Sequence, residues 1–192
     1  MSPRTSAQLR LHKENKKSAI LEAALKVFAH NGFEGATIDK IAREAGMAKG
    51  LLYTYYSGKD ELLKALIRFG MEKALAYIDA NTPGSIKTKK AFEKNLRGMI
   101  GYFLQETDFW KLYTLLALQP NVSRQFQKEA KIFFEKYLGI YIDYFRRKRS
   151  KNPVAETMLF GAVLDGVLID LIMMPDEYPV EDVVKMIIAK FA

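Results

Sequence analysis

The chain has 192 residues, 49% of them hydrophobic and 27% charged, and its 30 Lys and Arg against 22 Asp and Glu give a formal net charge of +8. This length fits one domain or a small module joined to a larger one, and the composition is that of a globular protein. The absence of cysteine excludes disulfides, a thiolate metal site and a catalytic thiol. Only His12 and His30 remain for histidine chemistry, so we expect no metal, no cofactor and no enzyme activity.

The N-terminal segment is basic and polar. Residues 1–17 hold one acidic residue, Glu14, against five basic ones, which are Arg4, Arg10, Lys13, Lys16 and Lys17. The segment has no apolar core, so it is not a secretory signal, and charge alone is compatible with a solvated, disordered tail. The longest apolar stretch, residues 158–174, is interrupted by two aspartates and is shorter than a bilayer span. We expect a soluble cytoplasmic protein with no membrane partner.

Apolar residues recur at helical spacing along the whole chain, and no segment alternates as a strand does. A first helix carries Ile20 and Phe28 and ends at Asn31-Gly32, where a left-handed C-cap is predicted. Further helices are predicted over residues 38–45, 48–55, 59–80, 86–106, 109–118, 122–149, 154–174 and 180–191. The clearest boundary between helices is residues 81–85, which include Pro83 and Gly84. The prediction is an all-α chain of about nine helices.

Two short helices around Gly46 have the pattern of a helix-turn-helix. Thr37 is the predicted N-cap of the first, and Leu52 and Tyr56 supply the inward side of the second. The residues left on the outside of the second helix are Lys49, Gly50, Leu51, Tyr53 and Tyr55. Lysine and tyrosine contact phosphates, lysine also contacts guanine, and glycine permits close approach of the two backbones. Taken alone, the pattern is equally that of a bend in a helical bundle.

The stretch SAILEAALKVFAHNGFEGATIDKIAREAGMAKGLLYTYYSGKDELLKALI resembles the DNA-binding domain of the TetR family of bacterial repressors. The residues that carry the resemblance are Ile20, Ala23, Ala24, Phe28, Gly32, Phe33, Thr37, Ile41, Ala42, Ala45, Gly46, Lys49, Gly50, Leu52, Tyr53, Tyr55, Tyr56, Lys59 and Leu62. The resemblance implies a helix-turn-helix DNA-binding domain over residues 1–60 and a helical effector-binding and dimerisation domain over residues 61–192. It also implies a bacterial cytoplasmic protein associated with the nucleoid. It covers about 50 residues, and the remainder agrees with the family only in helix number and length.

The resemblance also implies roles for single residues. Thr37 caps a helix and touches phosphate, Lys49 and Gly50 meet bases and backbone, Tyr53 and Lys59 contact phosphate, and Tyr55 contacts bases or phosphate. The basic N-terminal segment lies on phosphate or in the minor groove in some members. Two positions depart from the family: Ala48 replaces a usual serine, and Leu51 replaces a commonly polar residue. An apolar residue packs on a thymine methyl but does not hydrogen-bond a base edge, so these departures bear on the operator sequence.

The C-terminal part is rich in aromatic residues, which suits either a packed core or an apolar effector pocket. The candidates for binding a small apolar or aromatic effector are Phe103, Trp110, Tyr113, Tyr137 and Tyr141. The predicted helix at 154–174 is apolar nearly all round, so a second copy of the chain is expected to cover one side. The candidates for this dimer interface are Gly161, Val163, Gly166 and Val167.

These observations predict a homodimeric, ligand-responsive repressor that binds a near-palindromic DNA operator and is released by its effector. The alternative is a DNA-bound protein-interaction module with no small-molecule effector. A third class, an enzyme on a helical scaffold, is disfavoured because the sequence offers no thiol, no paired-carboxylate motif and no histidine with a visible partner.

Overall fold

The computed structural model describes residues 6–81 and 85–192, apart from the side chains of residues 81, 132–134 and 136. This part of the chain forms helices and no strand. The helices are α1 (Ser6–Gly35), α2 (Ile38–Glu44), α3 (Lys49–Tyr53), α4 (Lys59–Asn81), α5 (Lys89–Gln105), α6 (Thr107–Ala117), α7 (Pro120–Arg147), α8 (Pro153–Met173) and α9 (Val180–Phe191). The all-α prediction is therefore confirmed. The predicted boundary at residues 81–85 lies largely outside the described residues.

Capping side chains explain where several helices begin. Thr88 accepts a hydrogen bond from the Ala91 backbone N–H at 3.1 Å, so α5 begins at Lys89 rather than at residue 86. The Asn152 side chain accepts from the Ala155 N–H, also at 3.1 Å, and Pro153 follows in the first turn of α8. Proline suits this position because the first turn needs no N–H donor.

The structure corrects the interpretation of the N-terminal segment as a disordered tail. Residues 6–17 are the first turns of α1, while Arg4 lies outside the described residues. Within α1 the backbone leaves helical geometry at Gly32, which has φ 69° and ψ 159°. The predicted positive φ is present, but the helix bends there and continues for one more turn. Glycine suits this position because a side chain is strained at positive φ.

The first of two compact units comprises the described residues up to Gly70 together with Lys111–Ala130. Its core includes Ile20, Phe28, Ile41, Leu52 and Leu66, which are nearly inaccessible to solvent. The Gln119 side chain hydrogen-bonds to the backbone on both sides of the bend in α1. Its Oε1 accepts from the Phe33 N–H at 2.9 Å, and its Nε2 donates to the Phe28 carbonyl at 3.0 Å. One amide therefore satisfies two backbone groups beside Gly32. The expected domain boundary after residue 60 falls inside this unit.

The second unit comprises the described residues of Met71–Trp110 and Lys131–Ala192. Its core is an aromatic cluster drawn from α5, α7, α8 and α9. Phe92 lies at the centre, with its ring centroid 4.8 Å from that of Tyr144 and 5.1 Å from that of Phe160. Phe145 and Phe191 are also fully buried there. None of the described helices is both long enough and apolar enough to cross a membrane.

Candidate nucleic-acid interface

Helix α3 exposes one face to solvent and buries the other in the core of the first unit. Leu52 is fully buried, whereas Leu51 is 38% and Tyr53 48% exposed. Lys49 and Gly50 are exposed on the same short helix, and no atom lies within 4 Å of a Cβ built on Gly50. Four of the predicted DNA-contacting residues therefore share an open face of a helix five residues long.

The elements around α3 follow from local chemistry. Thr37 caps α2, since its Oγ1 accepts from the Lys40 N–H at 3.2 Å. Gly46 takes a positive φ of 61° in the turn, and the Met47 N–H returns to the Ala42 carbonyl at 2.9 Å. At α3, Ala48 occupies the N-cap and makes no side-chain capping bond. Ala48 lacks the hydroxyl that a serine would provide at this position, so the start of α3 has no side-chain cap.

Lys49 is paired in the free protein, which the sequence did not predict. Its Nζ lies 3.1 Å from Oδ1 and 3.2 Å from Oδ2 of Asp39, which stands in the first turn of α2. The hydrogen bond to Asp39 and the negative charge of its carboxylate raise the pKa of Lys49. The pair joins the two helices of the motif on an exposed surface, so DNA phosphate or a guanine edge competes with Asp39 for this lysine.

The other predicted contact residues lie in different settings. Tyr55 is half-buried, while Tyr56 is buried as expected for core. Lys59 is half-buried, with its Nζ 4.5 Å from the centroid of the Phe33 ring and 3.4 Å from the Glu34 carbonyl. These contacts hold the ammonium group of Lys59 near the start of α4, a position that suits an anion contact.

The helical N-terminal extension carries exposed cations. Arg10 and Lys13 are exposed, and Lys17 pairs with Glu14 at 3.2 Å. A helix, rather than a coil, therefore positions these charges relative to the rest of α1.

The predicted effector residues do not all lie in one unit. Phe103 and Tyr141 belong to the aromatic core of the second unit, and Trp110 and Tyr137 pack against it half-buried. Tyr113 lies in the first unit, where its hydroxyl donates to the Ile67 carbonyl at 2.6 Å. Four of the five therefore belong to the second unit, and Tyr113 belongs to the first.

Polar groups missed by the sequence analysis accompany these aromatic residues. The buried Tyr141 hydroxyl donates to Oδ1 of Asn95, which is itself buried, and lies 3.2 Å from the Met99 sulfur. Burial raises the pKa of Tyr141 well above its usual value, so the hydroxyl stays a donor at neutral pH. The signal in the sequence was an asparagine on the apolar face of α5, four residues before Met99.

The predicted interface residues divide between two faces of α8. Val167 is only 4% exposed and packs in the core of its own unit, so it is not available for the predicted dimer interface. Val163 and Gly161 are half-buried, and Gly166 is exposed. Exposed apolar residues that the interface prediction did not include are Val154, Met158, Leu159, Ile169 and Met173 of α8 and Met186 of α9.

Residues 20–66 match the family model for bacterial regulatory proteins of the tetR family. The chain is 26% identical over 157 residues to the transcriptional regulator YfiR of Bacillus subtilis, covering 79% of this chain and 71% of YfiR. It is 30% identical over 155 residues to YuxN of the same organism, covering 80% of this chain but only 53% of YuxN. The structure of FadR from Bacillus subtilis, in complex with stearoyl-CoA, superposes with a TM-score of 0.73 at 17% identity, covering 91% of this chain and 96% of FadR. The chain carries, over residues 20–66, the helix-turn-helix DNA-binding domain of the TetR family of transcriptional regulators.

Proposed function

We propose that the protein is a homodimeric repressor that binds a near-palindromic operator and is released by a small apolar effector. The observation that carries the proposal is the open face of α3, where Lys49, Gly50, Leu51 and Tyr53 lie together. Apolar and tyrosine side chains exposed beside a lysine gain contacts in a DNA groove that water does not offer. We propose Thr37, Tyr55 and Lys59 as flanking contacts to the phosphates.

The exposed face of α8 supports the dimer. Met158 is 54% exposed, and Met186 of α9 is 72% exposed. On α8 the exposed apolar residues follow helical spacing, opposite the face that packs in the unit's own core, so a second copy of the chain would bury them. A two-fold dimer places two recognition helices about 34–36 Å or a multiple apart, which matches an operator with two related half-sites.

The proposed effector site lies in the second unit, around Phe103, Trp110, Tyr137 and Tyr141. The Tyr141 hydroxyl and Asn95 give this apolar region polar groups that can orient a ligand. A relative of the same fold was solved with stearoyl-CoA bound, so an acyl-CoA is the first effector to test. A ligand that binds one conformation better than the other shifts the equilibrium by its differential affinity, typically about 5–150-fold.

The alternative, a protein-interaction module with no small-molecule effector, is favoured by the close packing of the same region. The ring centroids of Tyr141 and Tyr137 are 5.0 Å apart, and those of Tyr141 and Phe160 are 4.9 Å apart. An effector would have to displace some of these rings. A titration of stearoyl-CoA into the protein–operator complex separates the two candidates. Release of DNA with a change in Trp110 fluorescence supports the effector, and unchanged DNA binding supports the module.

DNA recognition is tested by selecting the bound sequence from a random duplex pool and footprinting it. We expect the double variant Lys49→Ala/Tyr53→Ala to lose at least about tenfold in affinity for the selected site. Lys128→Ala, which removes an exposed lysine of α7, serves as the control. The helical circular dichroism should be the same for all three proteins. Unchanged footprints from the double variant would place the recognition surface elsewhere.

A further inference from the structure

A cleft of about 240 Å³ in the second unit is lined chiefly by cations. Three separate segments form it: the residues at the start of α5, the end of α7 and the end of α9. The lining residues are Lys87, Lys89, Tyr144, Arg147, Lys148 and Ala192. Chain folding therefore concentrates four positive charges that are up to about sixty positions apart in sequence.

Three of these cations lack carboxylate partners among the described residues, unlike cations nearby on the same helices. Arg97 of α5 is bidentate to Glu181, and Arg146 of α7 pairs with Asp143. For Lys87, Lys89 and Arg147, no carboxylate lies within ion-pair distance among the residues that the structure describes. Lys148 donates to the Phe191 carbonyl at 3.1 Å and to the terminal oxygen of Ala192 at 2.9 Å, which offsets the charge of this lysine. The cleft therefore keeps three positive charges, those of Lys87, Lys89 and Arg147, that no described carboxylate offsets.

Favourable interactions with helix dipoles do not explain why these cations lie together. The negative end of α7 favours Arg147 and Lys148, but Lys87 and Lys89 lie at the positive end of α5, where cations are disfavoured. The last carbonyls of α7 already have backbone partners. The N–H groups of Lys148, Arg149 and Ser150 bond to the carbonyls of residues 144, 146 and 145 at 3.0–3.1 Å, with Arg149 at a positive φ of 60°. An anion bound in the cleft would reduce the electrostatic repulsion between these cations.

We propose that this cleft binds the diphosphate group of a small phosphorylated ligand. Its volume of about 240 Å³ lies below the roughly 300–1,000 Å³ of sites that enclose a drug-sized ligand, so the cleft suits phosphate groups rather than a whole ligand of that size. One phosphate carries about −1.5 to −2 charge, so two adjacent phosphates match the three unpaired cations better than one does. A concave site of this size suits a compact anion rather than the extended backbone of a duplex.

The test is calorimetric titration of the full chain, without DNA and at low ionic strength, with inorganic pyrophosphate and separately with ADP. We expect both to bind the wild type. The variant Lys87→Ala/Arg147→Ala should bind at least about tenfold more weakly, because each substitution removes a charge-assisted hydrogen bond. The matched control is Lys111→Ala/Lys128→Ala, which removes the same charge from exposed positions of the first unit. All four substituted side chains are exposed, so the fold should be retained.

Tighter binding of ADP than of pyrophosphate would identify an organic diphosphate as the ligand, and the reverse order would identify the free anion. Equal losses in the cleft variant and the control would overturn the proposal, because net charge alone would then explain the binding. No binding to the wild type would also overturn it. A cleft variant that loses DNA affinity while the wild type ignores pyrophosphate would assign these cations to DNA instead. Since no operator is present in the titration, the result does not depend on the proposed repressor function.

Discussion

Replacing Gly70 of α4 with alanine tests the packing of the first unit, because the added methyl group would meet the ring of Tyr113. A Cβ built on Gly70 would lie 2.2 Å from Cε2 and 2.4 Å from Cζ of Tyr113. Real Cβ contacts essentially never fall below 3.0 Å, so the ring must move if alanine replaces this glycine. The ring is held in place by the hydroxyl's bond to the Ile67 carbonyl at 2.6 Å and by an edge contact with Phe126 at 5.5 Å.

Two opposing effects decide the sign for Gly70→Ala. Alanine in a helix interior is favoured over glycine by about 1 kcal/mol. Overpacking a buried site costs about 1–3 kcal/mol, and losing the buried hydroxyl bond of Tyr113 adds about 1 kcal/mol or more. The net expectation is a destabilisation of about 1–3 kcal/mol. For a chain of this size that corresponds to a drop in the thermal midpoint of roughly 2–10 °C.

The assay is thermal and urea unfolding followed by circular dichroism at one fixed protein concentration. Gly101→Ala in α5 is the control, because nothing lies within 4 Å of a Cβ at that position, and it should be neutral or stabilising. Adding Tyr113→Leu removes the ring atoms that meet the methyl group, so Gly70→Ala should no longer destabilise in that background. If Gly70→Ala alone is as stable as Gly101→Ala, the reasoning about Tyr113 is refuted.

Three further outcomes are expected. Asp39→Asn frees Lys49 from its ion pair, so affinity for random duplex DNA should rise about two- to fivefold at fixed salt, and an unchanged affinity would contradict competition between DNA and Asp39. Met158→Glu/Ile169→Glu should give monomers in sedimentation with normal helicity, whereas a persisting dimer would place the interface elsewhere. Burial, with the charges of two carboxylates, raises the pKa of Tyr56 to about 12. The contribution of neutral Tyr56 to the free energy of unfolding is therefore fully present below pH 10 and is lost as the pH rises from 10 to 12. Tyr56→Phe should flatten that part of an alkaline unfolding curve.

The candidate DNA interface was largely predictable because its signals are local. Thr37 before an apolar repeat indicates a helix start, and Gly46 after it indicates the turn, since each acts on backbone groups a few residues away. The Asp39–Lys49 pair was not predictable in the same way. It joins residues ten positions apart whose distance depends on how α2 and α3 pack.

Sequence patterns alone were enough to predict the helical class of this protein, the approximate ends of its helices and the family of its DNA-binding domain. Periodicity and capping decide these properties over short stretches of chain. Which faces of those helices are buried became known only from the folded arrangement of the chain. It placed Val167 in a core and Met158 on a surface, assigned Tyr113 to the first unit, and gathered cations from three segments around one cleft. A helix that is apolar on every side does not encode which side its neighbours will take, because that depends on contacts between distant parts of the chain.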